Sequence, residues 1–136
     1  MRLERMKSMN KTALLSLGAA VVLGAGMPAM AHHSAAQFDF QHPVDVTGVV
    51  KEARFSNPHA RIVLEVTDEK RGTRDIEFEG HSRNNMYRQG FRPDMMTVGD
   101  KITIRIAPMR TGDDGGYVTA LITADGQAIG NITRAD

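Results

Sequence analysis

The sequence predicts a mainly β protein that folds as a small antiparallel barrel of five or six strands. Apolar and polar residues alternate with a period of two in five stretches after residue 43, a pattern typical of strands with one buried face. A single helical segment, Arg83–Gln89, interrupts these stretches between the third and the fourth. Clusters of glycine, aspartate and proline separate them. The chain has no cysteine, so packing alone must hold the fold, and thiolate metal ligands are excluded.

The first three strands are expected to form a meander. The first runs from Val44 to Lys51, and Gly48 within it predicts a bulge or a tight bend of the kind that barrel corners need. A turn over 56–59 follows, because the proline restricts the residue before it and cannot continue a ladder. The second and third strands, Arg61–Thr67 and Asp75–Glu79, flank a charged loop and form a hairpin.

The second half of the chain contains the helix and the remaining strands. Ser82 is the expected N-cap of the helix, and Gly90 suits the left-handed position after its end. The fourth strand, Ile102–Ile106, has the most regular alternation in the chain, and a flexible glycine-rich loop separates it from the fifth, Tyr117–Thr123. A short last strand is expected near 128–132.

The order β-β-β-α-β-β, with one short helix between strands 3 and 4, matches the five-stranded OB barrel. A β-sandwich or an open antiparallel sheet is the alternative, because strand order along the chain does not by itself determine pairing. The alternation predicts which side chains face the interior of the barrel. They are Val46, Val50, Ile62, Leu64, Val66, Ile76, Phe78, Ile102, Ile104, Ile106, Val118 and Ile122.

Residues 1–31 have the features of a Sec signal peptide. Four basic residues precede an uncharged apolar run over 12–25, and Ala29 and Ala31 supply the small residues that a signal peptidase recognises. The run is short and rich in small residues for a stable membrane span, and a retained membrane anchor is the alternative. Cleavage after Ala31 leaves an N-terminal arm over 32–43 and a single OB-like domain over 44–136. We therefore expect an exported, periplasmic protein of a Gram-negative bacterium, with no stable membrane insertion after processing.

Charge and composition argue against several classes of function. The chain after Ala31 keeps 13 basic and 15 acidic residues, a net charge of −2, which gives no electrostatic basis for binding nucleic acid. The serines Ser34, Ser56 and Ser82 lie in no nucleophile-elbow context, and no glycine-rich phosphate loop follows a strand. We expect no nucleic-acid partner and identify no catalytic residue, so the sequence favours a role other than catalysis. It identifies no protein partner.

Five segments together resemble a known family. They are His32-His33-Ser34, Thr47-Gly48-Val49-Val50, Asn57-Pro58-His59, Glu79-Gly80, and the stretch 88–100. The chain resembles a bacterial domain-of-unknown-function family of small exported proteins, whose mature chains start with His-His-Ser and carry Asn-Pro-His after the first strand. The resemblance implies a periplasmic location and a compact β fold, and it implies no established activity. The chain departs from the family pattern at Phe91, where tryptophan is expected, and at His81, where a small residue is usual.

The histidines suggest a copper site. All five, His32, His33, His42, His59 and His81, follow the expected cleavage point. A chain that starts at His32 offers its terminal amine and its ring as a chelate, similar to the histidine brace of periplasmic copper proteins. His59 is the expected third ligand because it lies in a turn, with His33, His42 and His81 as further candidates. Nitrogen-rich tetragonal sites favour Cu(II), so the sequence predicts a Cu(II) carrier or buffer.

Other interpretations of these residues stay open. If Ala31 were the first residue, the amine, two amides and His33 would form a square-planar Cu(II) or Ni(II) site. Zinc is disfavoured, because no His or Cys spacing prepares a tetrahedral site. Met86, Met95, Met96 and Met109 could serve as soft ligands for Cu(I), but core packing is the favoured role. The alternating acids Asp75, Glu77 and Glu79 suit either a solvated sheet face or a surface for a cation or a partner. In the alternative function, the protein is a metal-free ligand-binding or protein-interaction module in which the histidines are incidental.

Overall fold

The computed structural model describes residues 35–135 as a β-barrel with one short α-helix. The strands are β1 (Val44–Arg54), β2 (Arg61–Asp68), β3 (Gly72–Glu79), β4 (Lys101–Pro108), β5 (Gly116–Ile122) and β6 (Ala128–Ile129). Helix α1 (Arg83–Arg88) and a 3₁₀ helix (Pro93–Met95) lie between β3 and β4. The predicted order of elements is confirmed.

The sheet closes on itself in the OB-like order. Neighbouring strands follow the sequence β3-β2-β1-β4-β5-β6, and β3 also pairs with β5. The closing pair is parallel and joins Glu79 to Tyr117, whereas the other strand pairs of residues 35–135 are antiparallel. The predicted small barrel is therefore confirmed, as a closed mixed barrel of five strands with β6 added to β5.

Strand β1 is long because its two halves pair with different neighbouring strands. Its first half, Val44 to Val49, pairs with β4, and its second half, Val49 to Arg54, pairs with β2. The bulge predicted at Gly48 does not lie there, because the ladder with β4 runs without a register shift from Val44 to Val49. A register shift lies between Val50 and Glu52, and at Gly48 an added Cβ would stand 2.7 Å from the carbonyl oxygen of Glu65. The φ of Gly48 is not positive. Glycine is therefore required here because there is no room for a Cβ, and not because of the backbone conformation.

The core fills the barrel and extends under helix α1. Its fully buried large side chains come from β1 to β5 and from the helical connection, namely Val50, Ile62, Leu64, Phe78, Met86, Phe91, Ile104, Tyr117 and Val118. Met86 is buried on the inner face of α1, and its sulfur lies 3.5 Å from the point where a Cβ on Gly80 would stand. Met96 is also buried. These two methionines therefore act as packing residues, as expected.

Strand β5 differs from its predicted pattern. Ile104 pairs with Leu121, and Ile106 pairs with Val118. Between these two pairs lies one residue of β4 but two residues of β5, so β5 has a bulge. Such a bulge reverses the parity of the side chains beyond it. Leu121 is consequently buried beside Val118, and Ile122 is only partly buried. The prediction that Ile122 is an inward residue is therefore wrong, and the predicted inward Val46 and Ile102 are also only partly buried.

The described part of the N-terminal arm, 35–43, lies against the end of β4. Phe38 forms an isolated antiparallel bridge with Met109 and is buried. Its ring centroid is 5.3 Å from that of Tyr117, and the ring of Phe40 is 5.5 Å from Tyr117. The arm thus contributes an aromatic side chain to the core.

Candidate functional site

The loop between β1 and β2 carries His59 and is fastened to helix α1. The backbone N–H of Arg83 donates to Asn57 Oδ1 at 3.0 Å and to the carbonyl oxygen of Ser56 at 3.1 Å. The hydroxyl of Ser56 donates to the carbonyl oxygen of His59 at 2.8 Å. Ser82 occupies the predicted N-cap position, but its side chain makes no capping bond. Asn57 of the Asn-Pro-His turn therefore caps the helix in place of the side chain of Ser82. The same hydrogen bonds fasten the turn to the helix.

His59 is oriented by two acceptors on the neighbouring strand end. Its Nδ1 lies 3.1 Å from Glu79 Oε1 and 3.3 Å from the carbonyl oxygen of Gly80. Neither acceptor has a proton to give when Glu79 is ionised, so Nδ1 must carry the hydrogen. In the neutral ring the lone pair is then on Nε2. About 34% of the side chain is exposed, so this nitrogen is presented from a fixed, partly open position.

His81 has a structural environment. The residue is 9% exposed. Its Nε2 donates to the carbonyl oxygen of Arg134 at 3.1 Å, and its ring meets that of Tyr117 edge-on at 5.3 Å. These contacts join the C-terminal segment to the closing edge of the barrel. A ring fixed in this way is poorly placed to receive an ion from solvent.

His42 is the most exposed of the described histidines. Its side chain is 78% exposed, and Nδ1 lies 2.9 Å from Asp39 Oδ2. This hydrogen bond is the main cause that lowers the pKa of the Asp39 carboxyl. His42 therefore has the same kind of ring contact as His59, at the surface of the arm.

The described residues do not contain a complete metal site. Nowhere in 35–135 do three His, Cys, Asp or Glu side chains group closely enough to hold an ion. His32 and His33 lie outside the described residues. A site of the predicted kind therefore needs the terminal chelate in addition to His59.

The acidic face of β3 lies beside basic side chains. Glu77 pairs with Arg61 at 2.8 Å and Glu79 with His59, while Asp75 helps to raise the pKa of Lys51. The expected solvated sheet face accounts for these carboxylates, apart from the additional role of Glu79 beside His59.

One concave feature of the described residues was not anticipated from the sequence. It is a groove at one mouth of the barrel, near the loop 113–115, where Asp114 pairs with both Arg71 and Arg74 at 2.7 Å. These partners are about 40 positions apart in the sequence, so no local motif indicates them. The sequence feature that could have indicated the groove is Gly48, which lies at the point where β1 stops pairing with β2.

Comparison with known families gives one match, over residues 19–119, to a family of unknown function (DUF6152). This match covers most of the chain. The chain belongs to the DUF6152 family. The expected membership of a domain-of-unknown-function family is thus confirmed. No curated protein matches the chain. No helix in residues 35–135 is long and apolar enough to cross a membrane.

The DUF6152 match includes all five histidines and extends from before the expected cleavage point into β5. It assigns no activity to any of them. Function must therefore be inferred from the chemistry of the site.

Proposed function

We propose that this protein is an exported, periplasmic Cu(II)-binding protein that acts as a carrier or buffer. The ligands would be the terminal amine and ring of His32, with Nε2 of His59 as the third nitrogen. The observation that carries the proposal is the orientation of His59 by Glu79 and the carbonyl group of Gly80. Metal-binding histidines usually donate their second ring N–H to a carboxylate or a backbone carbonyl, which fixes the tautomer and makes the ligand more basic.

The position of the arm supports the use of His32. Gln37 and Phe38 line a cavity of about 250 Å³ together with Glu77 and Glu79. Glu79 is the residue whose carboxylate contacts His59. His32 precedes Gln37 by five residues, and five residues of extended chain span at most about 18 Å, so a mature N-terminus at His32 would be tied within that distance of the cavity that Glu79 lines.

The chemistry favours copper in its divalent state. Three nitrogens, one of them an amine, suit the tetragonal geometry of Cu(II), which is also the strongest binder among the divalent first-row ions. Processing after Ala31 and export are part of the proposal, because only cleavage at that bond exposes the amine of His32. Intact-mass measurement of the exported protein should show the loss of residues 1–31.

The decisive test is a competitive Cu(II) titration of two proteins that differ at one end. One begins at His32, and the other carries three extra residues before it, so that neither His32 nor His33 stands third in the chain and the alternative square-planar site cannot form. The extension should weaken binding more than His59→Ala or His81→Ala does, because it removes the chelate ring of His32. His59→Ala should weaken binding more than His81→Ala. His42→Ala is the matched control, since its ring also contacts a carboxylate through Nδ1, and it should change nothing.

The pH dependence gives a second readout. The terminal amine has a reference pKa near 8, so Cu(II) must displace its proton near neutral pH. Binding should therefore tighten from about pH 6 to pH 8 and release protons. Equal affinity of the native and extended proteins would refute the proposal. The protein would then be better described as a metal-free ligand-binding or interaction module.

A further inference from the structure

Helix α1 and the residues after it form a basic surface. The segment 80–93 contains three arginines, Arg83, Arg88 and Arg92, and no aspartate or glutamate. All three are exposed. The chain after the expected cleavage point has a net charge of −2, so this positive charge is a local feature and not a property of the whole protein.

These three arginines lack the carboxylate partners that other bases of the barrel have. Elsewhere in the described residues, Arg61, Arg74 and Arg105 each pair with an aspartate or a glutamate. Within 35–135, no carboxylate forms an ion pair with the arginines of 80–93, and this includes Asp94, two positions after Arg92. Their charge is therefore available to an anionic partner.

Arg92 is held in place by groups that carry no charge. Its Nη1 donates to the carbonyl oxygens of Tyr87 at 2.9 Å and of Phe91 at 2.6 Å. Its guanidinium carbon lies 5.6 Å from the centroid of the Tyr87 ring, within the range of a cation–π contact. The guanidinium is thus oriented before any ligand binds, which lowers the entropic cost of pairing with a carboxylate.

Two aromatic side chains lie beside these charges. The rings of Phe55 and Tyr87 stack with centroids 6.0 Å apart, and Tyr87 is 38% exposed. Arg83 lies one helical turn before Tyr87, so the two side chains are neighbours on α1. The backbone N–H of Arg83 is bonded to Ser56 and Asn57, next to Phe55. We call this continuous patch the α1 surface; it consists of Phe55, Arg83, Tyr87 and Arg92.

We propose that the α1 surface is a docking site for an acidic segment of another protein. Arg83 and Arg92 would pair with carboxylates, and the exposed part of Tyr87 would cover an apolar side chain between them. Tyrosine and arginine are enriched among the residues that dominate the affinity of protein–protein interfaces. Because the patch is small and its charges are exposed, the complex should be weak and sensitive to salt.

An anionic membrane is the competing partner, and the surface is less suited to it. Electrostatic binding to lipid surfaces typically uses clusters of about four to eight basic residues, more than the three arginines of 80–93. Phe55 is also partly buried under Tyr87, which leaves one aromatic side chain to enter the lipid interface.

Titration of the ¹⁵N-labelled protein from His32 onward with two short peptides, followed by NMR, tests the proposal. Both peptides have a central phenylalanine; one is otherwise built from glutamate and aspartate, and the other from glutamine and asparagine. The acidic peptide should shift the amide signals of 54–57 and 83–92 and reach saturation. The amide peptide should bind about tenfold more weakly, as expected when two exposed ion pairs are lost. About 0.5 M sodium chloride should abolish this difference.

Single substitutions locate the binding. Arg83→Gln and Arg92→Gln should each weaken the acidic peptide by about threefold to fivefold, and Tyr87→Ala should weaken both peptides. Arg71→Gln is the matched control, because it removes the same charge from an exposed arginine of the β2–β3 hairpin, and it should not weaken binding. The side chain of Arg83 makes no hydrogen bond within 35–135, so Arg83→Gln decides alone if Arg92→Gln does not fold by circular dichroism.

Equal weakening by Arg83→Gln and Arg71→Gln would overturn the proposal, because the peptide would then respond to overall charge. Signal shifts outside the α1 surface would do the same. Binding to phosphatidylglycerol vesicles without saturable peptide binding would assign the surface to a membrane. Self-association of the protein alone, lost in Arg83→Gln on sedimentation, would assign it to a second copy of the chain. Either result refutes the acidic partner.

Discussion

Substitution of Gly48 by alanine should destabilise the barrel for a purely steric reason. The φ of Gly48 is not positive, so alanine can adopt the backbone conformation there. Its methyl group, however, would stand 2.7 Å from Glu65 O, 3.0 Å from Leu64 Cβ and 3.1 Å from Val66 Cγ2. The first contact is with backbone and the second with a Cβ, so neither can be relieved by a rotamer change. The strands themselves must separate.

The size of the effect follows from two opposing contributions. Overpacking of a core costs about 1–3 kcal/mol, whereas replacing glycine lowers the entropy of the unfolded chain and stabilises by about 0.4–1 kcal/mol where the backbone fits. The net loss for Gly48→Ala should be about 1–2 kcal/mol. For a domain of this size each kcal/mol lowers Tm by about 4–8 °C.

The assay is urea and thermal unfolding of the protein from His32 onward, followed by circular dichroism. Gly80→Ala is the graded comparison. Its methyl group would meet only side chains, Ala60 Cβ at 3.1 Å and the flexible end of Met86 at 3.5 Å, so its cost should be smaller. If Gly48→Ala is as stable as the wild type, β1 does not pass β2 as closely as these distances indicate.

Two further predictions concern the core and the hairpin. Ile104→Ala should cost about 2–5 kcal/mol, and Ile102→Ala clearly less, because Ile104 is fully buried and Ile102 only partly. Equal losses in urea unfolding would contradict this difference in burial. The Arg74 hydrogen bond is the largest cause that lowers the pKa of Asp68 to about 2, from an ordinary value of 3.8. A carboxyl with a depressed folded-state pKa stabilises the fold above its unfolded pKa and loses this effect as pH falls through the folded one. Stability should thus decline from about pH 4 to pH 2, and the decline should be shallower in Asp68→Asn.

The sequence predicted the strands well because their alternation is local. Each of β1 to β4 repeats with a period of two, which depends only on which side chains face the interior. In β5 the same rule predicted that Ile122 faces the interior, whereas Leu121 does. The reason is a bulge beside Arg105, which shifts the alternation of inward and outward side chains. A bulge is determined by the partner strand, which the sequence of β5 does not contain.

The site was predicted less completely, because its contacts join distant segments. His59 was identified from its turn, but the partner that orients it, Glu79, comes from the end of another strand. Asn57 caps helix α1 from 26 positions away, so the local signal at Ser82 was misleading. His81 was a ligand candidate by residue type, and its burial against Tyr117 depends on the closed barrel.

The burial of Phe38 fixes the point at which the N-terminal arm leaves the barrel. The aromatic contacts of Phe38 with Phe40 and Tyr117 make the exit point of the arm part of the rigid barrel. A group a few residues before it is therefore on a short tether. Such tethers give effective concentrations in the millimolar range. Two groups that would bind an ion weakly when separate can then act as one site, without any contact between them beforehand.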